Sequence, residues 1–173
     1  MTTTNAPTTT SGEIAVLRHQ VGVSRVVVHL NLAGLTQAES LVYPTPQGNC
    51  ANWVLGHLIA IHDNILPLLG QAPVLPADVH PRYDRGSAGL RDGATPLELT
   101  ELLALWDESS RRVDAGLAAL DPDTLGRPAP FSPGGNPQET IGTLLMTIAW
   151  HQAYHVGQTG LLRRIVGKEG AIR

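Results

Sequence analysis

Two histidines four residues apart, His151 and His155, are the residues in this sequence best suited to metal chemistry. On a helix such a pair lies on one face with Cβ atoms about 5–6 Å apart, so both imidazoles can reach one ion. His57 interrupts the apolar stripe of another predicted helix in the same way. Neutral imidazole binds zinc, nickel, copper and iron. The three histidines therefore predict one divalent metal ion, zinc or nickel, with a coordination position left open for water or substrate.

The alternative for any single histidine is an ordinary hydrogen-bonded core residue. An unsatisfied polar group in a core costs about 1–3 kcal/mol, so buried imidazoles usually find partners. Two at one helical face and a third on another apolar stripe favour a metal site instead. For the remaining four we expect solvent exposure or an ordinary hydrogen bond: His19, His29, His62 and His80.

Four segments carry apolar residues at alternating steps of three and four, which is the spacing of one helical face. They are about Glu13 to Leu41, Asn49 to Leu69, Pro96 to Leu120 and Asn136 to Val166. The third and fourth start with a cap, a proline and a glutamate that closes a capping box: Thr95, Pro96 and Glu98, then Asn136, Pro137 and Glu139. No strand-like alternation competes with these segments, so the sequence predicts an all-α four-helix bundle.

The links between the predicted helices differ in length. Pro44, Pro46 and Gly48 form a short first link, which predicts an antiparallel second helix. The second link, residues 71–94, is long for a compact domain. It either crosses the length of the bundle, making the second and third helices parallel, or covers a pocket. A second Pro/Gly-rich link spans residues 121–135.

The composition is that of one globular domain, expected over residues 13–173. Hydrophobic residues make up 42% and charged residues 16%, with a net charge of −3. This balance gives no reason to expect nucleic acid or an anionic membrane as partner. Residues 1–12 are Thr-rich, without a signal-peptide pattern, and are expected to form a disordered tail. The single cysteine, Cys50, forms no intramolecular disulfide, which suits the cytoplasm.

Two segments resemble motifs of the DinB/YfiT-like superfamily: Trp150–Gln158, with its two histidines followed by Val, Gly and Gln, and Asn52–Leu58. The resemblance extends over about Glu13 to Gly167. It implies an up-down-down-up bundle, often dimeric, with one metal held by His57, His151 and His155. Superfamily members include transferases and isomerases that use low-molecular-weight thiols such as bacillithiol or mycothiol, while many others have no assigned reaction.

Gln152 departs from the resemblance, because the residue after the first histidine is often acidic in such proteins. A carboxamide cannot act as a base. It also distinguishes this motif from the His-Glu-x-x-His motif of metalloproteases, in which the glutamate transfers the proton. A protease is therefore disfavoured.

Several other polar residues are candidates for the surroundings of the site. Gln158, one turn after His155, could orient a ligand, or could be a core glutamine bonded to backbone. Asn31 interrupts the stripe of the first helix and could line the pocket, as could Ser24, Ser109 and Ser110.

Arg82 and Arg85 could bind a substrate carboxylate or simply be solvated. We expect Asp63 to be a solvated helix residue and Cys50 a small buried one.

These observations favour a metal-dependent enzyme acting on a small molecule. The ion would activate a thiol or a water as nucleophile, giving thiol-S-transferase, isomerase or hydrolase chemistry, with a low-molecular-weight thiol as a further cofactor. The alternative is a non-catalytic, stress-related dimeric bundle with a vestigial metal site. Met146, Ala149 and Ala153 widen the apolar surface of the fourth helix, which supports a homodimer in either case.

Overall fold

The computed structural model describes residues 10–44, 47–91 and 93–172. Its α-helices are α1 (Thr10–Leu32), α2 (Gln37–Ser40), α3 (Ala51–Ile65), α4 (His80–Tyr83), α5 (Leu99–Ala119) and α6 (Ile141–Ile165). Two 3₁₀ segments, Leu66–Leu69 and Pro122–Gly126, extend α3 and follow α5. The predicted all-α class is confirmed, and the four long helices form the bundle.

Contacts between side chains give the directions of the long helices on either side of α1. Arg18 pairs with Asp114 at 2.7 Å and His29 with Asp107 at 2.9 Å, so α1 and α5 run antiparallel. Near its start α1 lines a groove with the beginning of α6, and near its end Asn31 donates to Thr159 Oγ1. Helices α1 and α6 are therefore parallel.

The directions around α3 complete the topology. Asn52 donates to the Leu97 carbonyl just before α5, and Leu69 meets Gly116 near the end of α5, so α3 and α5 are parallel. Along α3, His57 faces His151 and the later Ile65 lies with the earlier Leu145, so α3 and α6 are antiparallel. The bundle is up-down-down-up, as the family resemblance implied.

The long second connection both crosses the bundle and covers α3. It begins at Gly70, whose φ of 67° ends the 3₁₀ segment, and reaches α5 at the opposite end. Its apolar residues Leu75, Val79 and Tyr83 are buried against α3. Because α5, α6 and this connection all pack on it, α3 is buried at almost every position.

Asp63 anchors the start of that connection, which corrects its predicted place on a solvated face. Its side chain is buried, and its two carboxylate oxygens accept the backbone N–H groups of Val74 and Leu75 at 2.8 and 2.9 Å. A periodicity-based prediction misses this, because the partners are backbone groups of an irregular segment.

The first helix is shorter than predicted at its end and longer at its start. It begins at Thr10, three residues before the predicted Glu13, so the expected tail is helical over residues 10–12, and residues 1–9 lie outside the described range. It ends at Leu32 rather than Leu41, because Gly34 adopts a φ of 70° and reverses the chain. The short α2 then forms with its own capping box between Thr36 and Glu39.

Both capping boxes predicted from proline positions are wrong. Helix α5 starts at Leu99 because the preceding residues are held extended: Gln37 contacts the Leu97 carbonyl and the Leu99 N–H, and Tyr83 Oη accepts from Leu97 N–H. Helix α6 starts at Ile141, capped by Thr140 with Thr143, instead of at Asn136. An isolated β-bridge between Pro128 and Thr140 keeps that entry extended.

None of the helices in the described part of the chain combines the length and apolar character required to cross a membrane.

Candidate metal centre

Three histidine side chains, two from α6 and one from α3, meet at one point. Nε2 of His151 lies 3.1 Å from Nε2 of His155 and 3.4 Å from Nε2 of His57. One nitrogen from each ring can be chosen so that all three lie within 4.8 Å of one another. The structure thus brings together the three residues predicted as metal ligands.

The hydrogen bonds at the far side of two rings fix which nitrogen faces the centre. His57 donates Nδ1–H to the Tyr83 carbonyl at 2.8 Å, and His155 Nδ1 donates to Gln158 Oε1 at 2.8 Å. In the neutral tautomers this leaves a lone pair on each Nε2, aimed at the centre. A neutral His151 could donate a proton to only one of them, so the cluster has more acceptors than donors.

A divalent cation fits this donor set. Zinc–nitrogen bonds of about 2.0–2.1 Å in tetrahedral geometry place ligand nitrogens about 3.4 Å apart, close to the 3.1 and 3.4 Å separations here. The Nδ1–H groups bonded to a carbonyl and a carboxamide are the outer contacts typical of metal-bound histidines. Three protein nitrogens would leave a coordination position free on such an ion, as in catalytic rather than structural zinc sites.

Electrostatics keep the three imidazoles neutral and therefore able to bind metal at neutral pH. Burial, followed by the proximity of His155, His57 and Arg85, lowers the pKa of His151 to about 4. Burial also lowers the pKa of His57 and of His155, and their hydrogen bonds to Tyr83 and Gln158 oppose this only in part. Metal binding does not have to displace a proton from these rings above about pH 7.

His57 is held in place by residues that sequence reasoning did not assign to the site. Trp53 stacks on its face, with ring centroids 4.7 Å apart. Tyr83, which accepts from its Nδ1, packs its ring over Gly56, where an added Cβ would overlap the Tyr83 ring. The glycine before His57 is the one sequence signal for this close approach, while the role of a loop carbonyl leaves no trace in side-chain identity.

The three-histidine cluster is exposed to solvent through its α6 residues. His57 is only 3% exposed, whereas His151 and His155 are partly exposed. Tyr154, which is 56% exposed, makes an edge contact with the His155 ring at 5.2 Å between centroids. The solvent-facing side of the cluster is thus formed by residues of α6.

The other candidates fall on different sides of the bundle. Asn31 donates to the Val156 carbonyl and Thr159 Oγ1, which ties α1 to α6 and involves none of the three histidines. Ser24 lines a groove between α1 and α6. Ser109 contacts His62, and Ser110 is buried.

The other four histidines are either exposed or make an ordinary hydrogen bond, as expected. His29 pairs with Asp107, His62 bonds to Ser109 and Gln152, and His80 contacts the Ala60 carbonyl. His19 is exposed. Cys50 is buried, as predicted for a small packing residue.

Of the two loop arginines, only Arg85 acts on the site. Its charge contributes to the lowered pKa of both His57 and His151, and the neighbouring Asp84 acts in the opposite direction on His57. Arg85 also donates to the Pro133 carbonyl at 3.0 Å, which joins the two long connections. Arg82 is turned away and donates to the Thr95 carbonyl.

Fold and site together define a four-helix bundle with a candidate three-histidine metal centre. The chain belongs to the DinB superfamily, whose family model matches residues 21–159 and so includes all three histidines. A crystal structure described as a conserved protein from Enterococcus faecalis is similar over 88% of this chain and 95% of that one, with a TM-score of 0.69 and 16% identity. At that identity the likeness shows a shared fold alone. No curated protein matches the sequence.

Proposed function

We propose that this protein is a metal-dependent enzyme that uses His57, His151 and His155 to bind one divalent ion, zinc or nickel, and acts on a small molecule. The observation that carries the proposal is the convergence of three Nε2 atoms, two of them with their Nδ1–H already donated elsewhere. Without a cation, this half-buried cluster of three imidazoles would leave lone pairs facing each other, which is unfavourable where water is partly excluded.

The residues around the ligands would hold them and control access. Trp53 and Tyr83 fix the ring of His57, and Gln158 fixes that of His155. An ion bound by the three imidazoles would supply Lewis acidity, which lowers the pKa of a coordinating thiol or water. A substrate would approach the partly exposed rings of His151 and His155, since the ring of His57 is buried.

A thiol nucleophile suits this site better than water. Hydrolysis gains from a carboxylate base beside the ligands on their own helix, but the side chain that follows His151 is the carboxamide of Gln152, and it contacts His62 instead of the three-histidine cluster. Asp84 acts on His57 through its charge, and no hydrogen bond joins it to the three ligands within the described residues. A thiol would need only to lose its proton to solvent, which coordination to a divalent ion would favour. Its sulfur then donates an electron pair to an electrophilic carbon, forming the S–C bond as the leaving group departs with its bonding pair.

The proposal is tested by metal analysis combined with a thiol screen. Protein purified without chelators should contain about one zinc or nickel per chain, and small thiols such as cysteine should raise the melting temperature of the metal-loaded protein, because ligands that bind the folded state stabilise it. His151→Ala should lose both effects while keeping its helical circular dichroism. His19→Ala, which changes an exposed histidine, is the control and should keep both. A wild-type protein that takes up no stoichiometric zinc or nickel contradicts the proposal.

A homodimer, located in the cytoplasm, completes the proposal. Large apolar side chains are exposed on the outer faces of the parallel helices α1 and α6, including Val16 at 58%, Met146 at 60% and Trp150 at 67%. Burying such a surface is favourable, and exposed apolar patches of this kind mark interaction sites. Light scattering should give twice the chain mass, and Met146→Glu should halve it. Val42→Glu, at an apolar residue 41% exposed elsewhere, should not.

The same surface supports the second candidate, a non-catalytic dimeric bundle with a vestigial site. This candidate shares the dimer but predicts no gain of stability with metal. The outcome that favours it over the enzyme is a dimer whose melting temperature is unchanged by zinc, nickel and thiols.

A further inference from the structure

A second buried polar cluster lies beside the three histidines and is not part of them. His62 on α3 contacts Gln152 on α6 at 3.2 Å through Nε2, and Ser109 on α5 at 2.9 Å through Nδ1. His62 is 1% exposed and Gln152 is 2% exposed. Trp106 stacks on the His62 ring with centroids 4.8 Å apart. The cluster therefore joins three of the four helices inside the core.

This pair connects the same two helices that supply the candidate ligands. Gln152 directly follows His151 on α6, and His62 is five residues after His57 on α3. The two side chains meet between α3 and α6, with His62 contributed by α3 and Gln152 by α6. Any rotation or sliding of α6 along α3 would stretch this contact together with the spacing of the three Nε2 atoms.

Small movements of α6 have large effects at the centre. A side chain about 5–6 Å from the helix axis moves by about 1 Å when the helix rotates by 10°. Ligand distances in metal sites are held within about 0.2 Å. Apolar burial has no preferred direction, whereas a hydrogen bond weakens as soon as its distance or angle changes.

The chemistry of the pair suits a fixed contact. Burial lowers the pKa of His62 to about 4, so the ring is neutral at pH 7 and one nitrogen donates while the other accepts. A carboxamide can meet either nitrogen as donor or acceptor by turning its end, whereas a carboxylate can only accept. The Oε1 of Gln152 thus meets His62, and the side chain takes no part in the three-histidine cluster.

We propose that Gln152 and His62 are positioning residues that fix α6 on α3 so that His151 and His155 meet His57 at metal-binding distance. This inference rests on the metal site proposed above. It assigns position 152 a part in the assembly of the site and none in proton transfer.

The test is a double-mutant cycle read out as zinc affinity. Gln152→Met keeps the length of the side chain without its hydrogen bond, and His62→Phe keeps a ring against Trp106. The zinc dissociation constant of the folded protein is measured by competition with a chromophoric chelator. Each single variant should bind zinc about tenfold more weakly, the lower end of the range for residues that orient metal ligands. The double variant should also lose about tenfold, because the same contact is removed once.

Thr159→Val is the matched control. Thr159 is fully buried on α6, four residues after His155, and its hydroxyl bonds to Asn31 on α1 instead of α3. This variant should melt at a lower temperature and keep the wild-type zinc affinity. A Gln152→Met protein that is folded and binds zinc like the wild type overturns the inference, as does a hundredfold loss in the double variant. A wild-type protein without zinc affinity defeats the proposed function instead, so the two failures are distinguishable.

Discussion

Trp53 and His57 lie one helical turn apart on α3 with their rings stacked, 4.7 Å between centroids and 9° from parallel. The indole is fixed in turn, because its Nε1–H donates to the Arg82 carbonyl at 3.1 Å. The face of His57 is therefore set by a helix residue and its edge by the Tyr83 carbonyl of the long connection. Helix and connection must both be in place before this imidazole points at the other two.

The stacking makes Trp53 a reporter for metal binding. Nickel bound at the three histidines should quench the fluorescence of Trp53, because the indole is in contact with one ligand ring. The chain has three tryptophans, and Trp53→Phe should lose most of the quenching observed in a nickel titration. Trp150→Phe, which removes a 67% exposed indole, should keep it. Equal quenching in the Trp53→Phe and wild-type proteins would place the nickel elsewhere.

Gly56 is required for the connection to reach His57. In Gly56→Ala the new methyl group overlaps the Tyr83 ring, so the connection moves and its carbonyl leaves His57 Nδ1. Overpacking of this kind costs about 1–3 kcal/mol. We expect urea unfolding to show this loss, and zinc titration to show weaker binding.

Gly157→Ala is the matched control for Gly56→Ala. A Cβ at Gly157 meets no atom within 4 Å apart from its chain neighbours and the nearby backbone of its own helix, although the residue lies in α6, two positions after His155. Alanine is favoured over glycine inside a helix by about 0.5–1 kcal/mol, so this variant should be equal to or more stable than the wild type. A loss of stability in Gly157→Ala similar to that in Gly56→Ala would mean that the Tyr83 contact is not the cause.

The sequence was sufficient to place the three histidines, because each interrupts a regular apolar stripe, and a stripe depends only on local periodicity. It was insufficient at the starts of α5 and α6. There Thr95 and Asn136 carry valid local capping signals, but Gln37, Tyr83 and the bridge to Pro128 hold the chain extended. The hydrogen bond from His57 to the Tyr83 carbonyl could not be predicted either. Every residue has a carbonyl group, and only the path of the connection brings this one to His57.

Because His62 is buried, we expect the stability of the fold to decrease at acid pH. Its pKa is lowered from 6.5 to about 4 in the folded protein by burial, so below pH 6.5 the unfolded chain binds a proton that the folded one does not. The titration of His62 therefore does not reduce the free energy of unfolding above about pH 6.5. It reduces this free energy progressively as the pH falls towards 4. Between pH 7 and 4.5 the loss amounts to about 2–3 kcal/mol.

Urea unfolding at the two pH values, with chelator present, measures this contribution. His62→Phe should lose less stability than the wild type on acidification, by about 2–3 kcal/mol, while His19→Ala should follow the wild type. The lowered pKa values of His57, His151 and His155 make all of these proteins acid-sensitive. The quantity to compare between variants is thus the loss of unfolding free energy between the two pH values. An equal loss in His62→Phe and in the wild type would contradict a buried, neutral His62 imidazole.

Metal removal should affect stability through the three histidines together. A ligand at 100 times its dissociation constant stabilises the folded state by about 2.7 kcal/mol, and in a chain of this size each kcal/mol corresponds to roughly 2–4 °C. Adding EDTA to zinc-loaded protein should therefore lower its melting temperature by about 5–11 °C. Because two imidazoles hold zinc much less well than three, His57→Ala and His155→Ala should each melt at the same temperature with zinc and with EDTA. His80→Ala removes a histidine that contacts the Ala60 carbonyl outside the cluster, so this variant should retain the full zinc-dependent shift in melting temperature. If His80→Ala lost that shift, zinc would stabilise the fold through some other site.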